Sequence, residues 1–424
     1  MKLSGNLKVV KNKRFVVILF LFFLLFLVIK FGQTENKSPT LESKGHEFNI
    51  ISWEIKNLPA KFFYKFTSSH LWKKTNLEYI TETRDLVVEL EEIFVMIRET
   101  EDKIRQYQSQ DSSSDILIVE NELKLSKLIA RKNLIRNRVE EHLESLVSKQ
   151  IKDQELSFIG LSVWPPVDFR IDSPPKLLVI SPRDKIIRLD EALIDPKINT
   201  MDTELIEKQI TQNFDLSALI IQTGGLSTYP SLVPSNVELL NLLETVAHEW
   251  LHAYLIFFPL GRSYFSGGEM LTINETLANM FGKEIGLATF SEIKNLPLKH
   301  LNESSPRKSQ NKLNDESSPV FSYDKHMNET RKETDILLSN GLISEAEKYM
   351  ENRRIELNSY GYNVRKINQA YFAFYGSYAD TPHSTSPIYE QLLYLRKDVS
   401  SIGELVDKLK NISTYEEFES LLSK

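Results

Sequence analysis

From Asn76 to Gln154 the chain carries neither proline nor glycine, and apolar residues recur there at helical spacing. Such a stretch favours long helices, because proline removes a helical hydrogen bond and glycine costs about 1 kcal/mol in a helix interior. Ile80, Val87, Leu90, Phe94, Ile97 and Ile104 form one stripe, and Leu125, Leu128, Ile135, Val139, Leu143 and Leu146 form another. The polar break from Ser109 to Asp115 separates them, so residues 76–154 read as two long antiparallel helices. The stripes read as packing surfaces for each other or for the body, with a partner-binding arm as the alternative.

A second constraint lies at the N-terminus. Lys2, Lys8, Lys11, Lys13 and Arg14 precede an uninterrupted apolar run from Phe15 to Ile29, closed by Lys30 and Phe31. As a helix this run is roughly 22 Å long, short of the ~30 Å hydrocarbon core, but Arg14 and Lys30 can snorkel. No pair of small residues follows at the spacing that signal peptidase needs, so residues 1–32 read as a membrane anchor, with a cleaved signal as the alternative. The basic cluster should stay cytoplasmic. That predicts a single-pass membrane protein whose body is extracytoplasmic, periplasmic or extracellular.

Composition then narrows the chemistry. The 424 residues include no cysteine, which removes disulfides, thiolate nucleophiles and cysteine-ligated metals. Any metal must be held by histidine and carboxylates. Beyond residue 30 there are 46 basic against 58 acidic residues, which argues against a nucleic-acid partner.

Residues 33–75 read as a polar tether and entry segment, and 155–300 as a small sheet with metal-site helices. Short apolar runs at Lys176 to Ser181, Lys185 to Leu189 and Ser217 to Thr223 predict the strands of a small twisted sheet. Ser235 and Glu238, at capping-box spacing, predict a helix running to about Phe258, where Pro259 and Gly261 end it. A second helix is expected from near Thr272 to Gly286. Residues 301–320 hold the near-copies Asn302-Glu303-Ser304-Ser305-Pro306 and Asp315-Glu316-Ser317-Ser318-Pro319, a composition expected of a mobile surface insertion. Helical patterns at Lys325 to Ser339, Ser344 to Ser359, Asn363 to Phe374, Ile402 to Leu409 and Thr414 to Leu422 fill a helical C-terminal part, 321–424. The fold class is α+β and mostly helical: a small twisted sheet packed on an active-site helix, a long N-terminal helical hairpin and a helical C-terminal part.

The chemistry concentrates in His248-Glu249-Trp250-Leu251-His252. Residues four apart share a helix face, so His248 and His252 can offer two imidazole nitrogens to one tetrahedral zinc. Glu249 lies beside that face, where it can take a proton from water activated by the metal and pass it to a leaving amine. A third ligand is available in Asn274-Glu275-Thr276-Leu277-Ala278-Asn279 on the second helix. If that helix returns antiparallel, Glu275 comes opposite the histidines. Asn279, one turn beyond, can accept a ring N–H and fix a histidine tautomer, and the small residues Ala278 and Gly282 permit close helix approach. Thr272 and Glu275 also have capping-box spacing, so a purely structural role for Glu275 stays open.

These motifs resemble the gluzincin, or thermolysin-like, class of zinc metallopeptidases over about forty residues. Over Thr245 to Gly286, Ile367 to Asp380 and most of residues 155 to 395, the chain looks closest to an uncharacterised bacterial family of membrane-anchored HExxH peptidases. The resemblance implies zinc held by His248, His252 and Glu275, Glu249 as general base, and a peptide or protein substrate. It also implies an oxyanion donor from the helical part beyond the ligands. Candidates are Tyr378, then Tyr375 and His383, with His326 and Arg331 behind them; the aromatic run around Tyr375 can equally be core. Substrate backbone in this class adds to an exposed strand edge, here expected at Ser217 to Thr223. Gluzincins usually carry Asp where this chain has Asn279, a change that lowers metal affinity or rate by about 10- to 100-fold. The other reading is a catalytically inactive zinc-binding or peptide-binding envelope protein. Oligomeric state is not legible.

Overall fold

The computed structural model describes residues 38–68, 77–108, 115–156, 163–295 and 321–423. After a short 3-10 turn at Pro39–Ser43 come helix α1 (Ile50–Ser68) and the hairpin helices α2 (Leu77–Gln108) and α3 (Asp115–Lys152). Val87, Leu90, Phe94, Ile97 and Ile104 of the first expected stripe are buried, as are Ile135, Val139 and Leu143 of the second. The helices run antiparallel: Arg131 pairs with Glu89 at 2.6 Å, and Arg138, two turns on, with Glu82, two turns back, at 3.0 Å.

On the body side, α3 meets β1 (Phe169–Asp172) through a buried ionic cluster. Lys61 of α1 lies 3.2 Å from Glu140 and 3.1 Å from Asp168 and also bonds Glu144 and the Phe169 carbonyl. The same two glutamates accept backbone N–H groups of β1, Phe169 at 3.1 Å and Ile171 at 2.8 Å. Buried charge is tolerated only when paired in this way.

The three-stranded antiparallel sheet has the order β3-β2-β4, formed by β2 (Lys176–Pro182), β3 (Asp190–Ile194) and β4 (Leu216–Gln222). The two-residue period of a strand divides its side chains between two cores. Leu178, Ile180, Ala218 and Ile220 pack on Ile206 and Ile210 of α4 (Thr200–Phe214). Leu177, Val179, Leu219 and Ile221 pack on the helices α8 (Tyr323–Ser339), α9 (Ile343–Ser359) and α10 (Gln369–Tyr375). β1 pairs separately and in parallel with β5 (Ser231–Pro234).

The central helices are α5 (Leu239–Leu255) and α7 (Gly268–Lys294), linked through the short α6 (Pro259–Ser263). They share the largest core with the hairpin and with α11 (Ile388–Lys397), α12 (Ile402–Leu409) and α13 (Tyr415–Leu422). Glycine makes their contact possible. A Cβ on Gly282 would lie 2.6 Å from the Glu244 carbonyl oxygen, and one on Gly286 would lie 2.6 Å from the Glu244 nitrogen.

Several expectations change. Lys185 to Leu189 is not a strand, since β3 begins at Asp190. Part of the expected tether is docked: Glu47 bridges Ile194, and the Phe48 N–H donates to the Leu193 carbonyl at 2.8 Å. The second central helix starts at Gly268 rather than Thr272 and passes through Gly286 to Lys294. The helix expected from Asn363 is shortened to Gln369–Tyr375, because Arg365 and Lys366 leave the pattern to pair with Glu207. The single-pass membrane expectation is corrected as well: among the described residues, no helix is long and apolar enough to cross a membrane. The run 15–31 on which it rested, and the expected insertion 301–320, lie outside the described residues.

Candidate metal centre

His248 and His252 stand one turn apart on α5 and point their Nε2 atoms at one region of space, 3.0 Å from each other. The opposite face of this helix anchors it. Trp250 donates its indole N–H to the Pro165 carbonyl at 2.7 Å and stacks between Tyr254 and Phe281. Both histidines remain partly accessible, with side chains 13% and 15% exposed.

Glu275 closes the site from α7. Its Oε2 lies 3.5 Å from His248 Nε2 and 3.4 Å from His252 Nε2. The three donors thus form a triangle with sides of 3.0, 3.5 and 3.4 Å. A tetrahedral zinc with bonds of ~2.05 Å requires donor–donor separations of about 3.3 Å. Glu275 Oε1 accepts the Tyr264 hydroxyl at 2.9 Å, while its buried Oε2 has no hydrogen-bond partner, which is the state expected of a ligand oxygen. The capping-box role is excluded by position. Glu275 is two turns into α7, whose N-cap is Gly267, and Thr272 bonds back to the Gly268 carbonyl at 3.1 Å. Among the described residues, His248, His252 and Glu275 are the one group of this kind able to hold a metal ion.

Electrostatics agree with the geometry. Burial pushes the Glu275 carboxyl up, but the two imidazoles outweigh it and hold the group well below the usual carboxylate range. Burial lowers His252, yet the Glu275 charge raises it above an ordinary histidine. A cation at the centre of the triangle would relieve the same mutual demand. Glu249, next along α5, is raised by burial, against the lowering effect of the histidines. Its carboxylate is crowded by the loop after β4, where a Cβ on Gly225 would lie 2.4 Å from Glu249 Oε1. Ser227 of that loop bonds the Glu249 carbonyl at 3.0 Å.

The sequence-derived second partner is corrected. Asn279 gives its amide N–H to Asp380 at 3.0 Å and makes no hydrogen bond to either histidine among the described residues. Asn274 faces His252 instead. Its amide N–H donates to the Leu260 carbonyl at 3.2 Å, while its buried Oδ1 makes no hydrogen bond among the described residues and only adds, behind Glu275 and Glu249, to the raising of His252.

Of the oxyanion candidates, Tyr378 reaches the site: its ring centroid is 6.5 Å from that of His248. Its hydroxyl is held well above the usual phenol range by burial, with Glu275 adding to the effect and Arg188 opposing it. Tyr375 packs instead on Tyr371 and His383, at ring separations of 4.6 and 5.1 Å. His383 is hydrogen-bonded through Nε2 to the hydroxyls of Tyr323, at 3.0 Å, and Tyr371, at 3.2 Å. His326 is buried against the Arg353 carbonyl, not solvated, and Arg331 spans Asp335 and the His383 carbonyl.

Two participants escaped the sequence. Tyr264, in the α5–α7 connection, holds Glu275. Arg188, between β2 and β3, is a largely buried cation whose charge is sustained, against burial, by the carboxylates of Glu191 and Glu275. The expected substrate edge at β4 is closed. The Ile220 N–H donates to Glu207, the Ile220 carbonyl accepts Arg365, and the Ala218 carbonyl accepts Lys366 and Asn368.

Comparison with protein-family models, with curated proteins and with solved structures finds no match for this chain.

Proposed function

We propose that this chain is a zinc-dependent peptidase of the gluzincin type that hydrolyses peptide bonds. The observation that carries the reading is the donor triangle of His248, His252 and Glu275, whose sides match a tetrahedral zinc. Zinc in that triangle would supply Lewis acidity toward a substrate carbonyl and lower the pKa of a water beside it.

The protein's own groups supply the rest. Glu249, raised by burial, is suited to accept a proton from the attacking water and return it to the leaving nitrogen. Tyr378, kept protonated at neutral pH, can donate a hydrogen bond to the oxygen on which negative charge develops. Tyr264 holds Glu275 in place while charge is redistributed.

The test compares the purified wild-type chain with Glu249→Gln and His252→Ala for zinc content and for hydrolysis of a quenched-fluorescent peptide library. We expect one zinc per wild-type chain, retained zinc with a loss of about 10²- to 10⁴-fold in turnover for Glu249→Gln, and lost zinc for His252→Ala. Equal turnover by the wild type and Glu249→Gln removes Glu249 as the base. Stoichiometric zinc without any turnover in the wild type leaves a binding protein.

A further inference from the structure

We infer that Asn279, Asp380 and Lys283 form a lock that fixes Tyr378 over the metal ligands, an inference that rests on Tyr378 being the oxyanion donor proposed above. Tyr378 lies in the irregular segment after α10, where no helix or strand holds its backbone. Two sets of ties flank it. On the N-terminal side, Arg188 donates to the carbonyls of Ala373, at 3.3 Å, and Phe374, at 3.4 Å, and to the Ser377 hydroxyl at 2.7 Å. Its guanidinium also lies 4.9 Å above the Phe374 ring.

On the C-terminal side the ties come from α7, the helix that carries Glu275. The Ala379 N–H donates to the Thr276 hydroxyl at 3.0 Å. One carboxylate oxygen of Asp380 accepts the Asn279 amide N–H at 3.0 Å, and the other accepts Lys283. The Asp380 side chain is 1% exposed, so water cannot substitute for these partners. Thr276, Asn279 and Lys283 follow Glu275 by one, four and eight residues, so the lock and the ligand belong to one rigid rod. Any rotation of α7 that moves the ligand moves Asp380, and Tyr378 with it.

This arrangement also accounts for an amide at position 279. A carboxylate there would face that of Asp380 across about 3 Å, a like-charge contact that a buried site opposes. Asn279 is the neutral donor that a carboxylate arriving from the C-terminal segment requires. Asn279, Asp380 and Lys283 are therefore positioning residues, acting through Tyr378.

The test places 3-fluorotyrosine at position 378 in the full chain and follows its ¹⁹F resonance with and without zinc, beside kcat, KM and zinc affinity. Asn279→Asp and Asp380→Asn should each shift or broaden the resonance even in metal-free protein. Each should lower kcat by about 10- to 100-fold, with KM and zinc affinity changed by less than about threefold. The double variant Asn279→Asp/Asp380→Asn reverses the hydrogen bond: the carboxylate then sits on α7 and accepts from an amide on the C-terminal segment, with Lys283 still one turn away. It should restore the resonance and most of kcat. Asn279→Ala, which removes the donor without adding charge, serves if Asn279→Asp fails to fold and should displace the signal in the same direction. An unchanged resonance in the single variants, or a double variant no better than the worse single one, overturns the lock. A wild type without turnover whose resonance still follows the rescue pattern would instead refute the peptidase reading and leave the lock standing.

Discussion

Gly282→Ala probes the metal centre through packing alone. The new Cβ would fall 2.6 Å from the Glu244 carbonyl oxygen and 3.2 Å from the His248 Cβ. Reaching an ordinary contact of ~3.4 Å requires α5 and α7 to part by about 0.8 Å, because both obstacles belong to helix backbone or to its first side-chain atom. Zinc sites tolerate errors of only about 0.2 Å in ligand position. The variant should therefore bind zinc at least ~10-fold more weakly, although no ligand is altered. Overpacking costs about 1–3 kcal/mol, offset by about 1 kcal/mol from replacing glycine in a helix. Chemical denaturation with chelator present should thus show a loss no greater than about 2 kcal/mol, and denaturation with zinc present a larger one, because the weakened ligand no longer stabilises the folded state as strongly. Zinc affinity is read by competition with a chromogenic chelator. Wild-type zinc affinity in a folded Gly282→Ala protein would refute the claim that the α5–α7 spacing sets the donor triangle.

Gly225→Ala should lower kcat while zinc affinity stays unchanged, since its Cβ would displace the Glu249 carboxylate and no ligand; steady-state kinetics beside a chelator titration separate the two. Lys61→Met should destabilise the folded chain by about 3–5 kcal/mol in urea unfolding, because Glu140, Glu144 and Asp168 would lose their shared cation. For pH, burial first and Arg331 second lower the folded-state pKa of His383 to about 4, from an ordinary 6.5. The unfolded chain then takes up a proton below pH 6.5 that the folded chain refuses until about pH 4. This group's contribution is present above pH 6.5 and is lost as pH falls toward 4, by about 3 kcal/mol in all. His383→Gln should flatten the pH dependence of stability over that window.

The hairpin was legible because nothing in it competes with the 3.6-residue period: its second helix begins at Asp115, the last residue of the expected polar break; elsewhere α12 matches Ile402 to Leu409 at both ends. Glycine was read less well. Gly286 looks like a stop signal, yet α7 runs through it because Glu244 of α5 occupies the place a side chain would take. A breaker and a close contact are indistinguishable without the partner helix. The candidate metal ligands could be found because their spacing is local to two helices. Asn274 lies one residue before Glu275 and Asn279 four residues after it, and only the packing around α7 shows that Asn279 turns to Asp380 rather than to a histidine. Arg188 and Asp380 carry no local signature, since apart from the Arg188–Glu191 pair the groups they act on lie far away in the chain.

Translation proceeds from the N-terminus, and under the proposed function this order would place cation capture before reactivity. His248, His252 and Glu275 have all been polymerised well before Tyr378 and Asp380 leave the ribosome, a gap of some hundred codons that takes roughly 5–20 s. Until the C-terminal helices dock, His248, His252 and Glu275 can come together while Tyr378, the proposed oxyanion donor, is still missing from beside them.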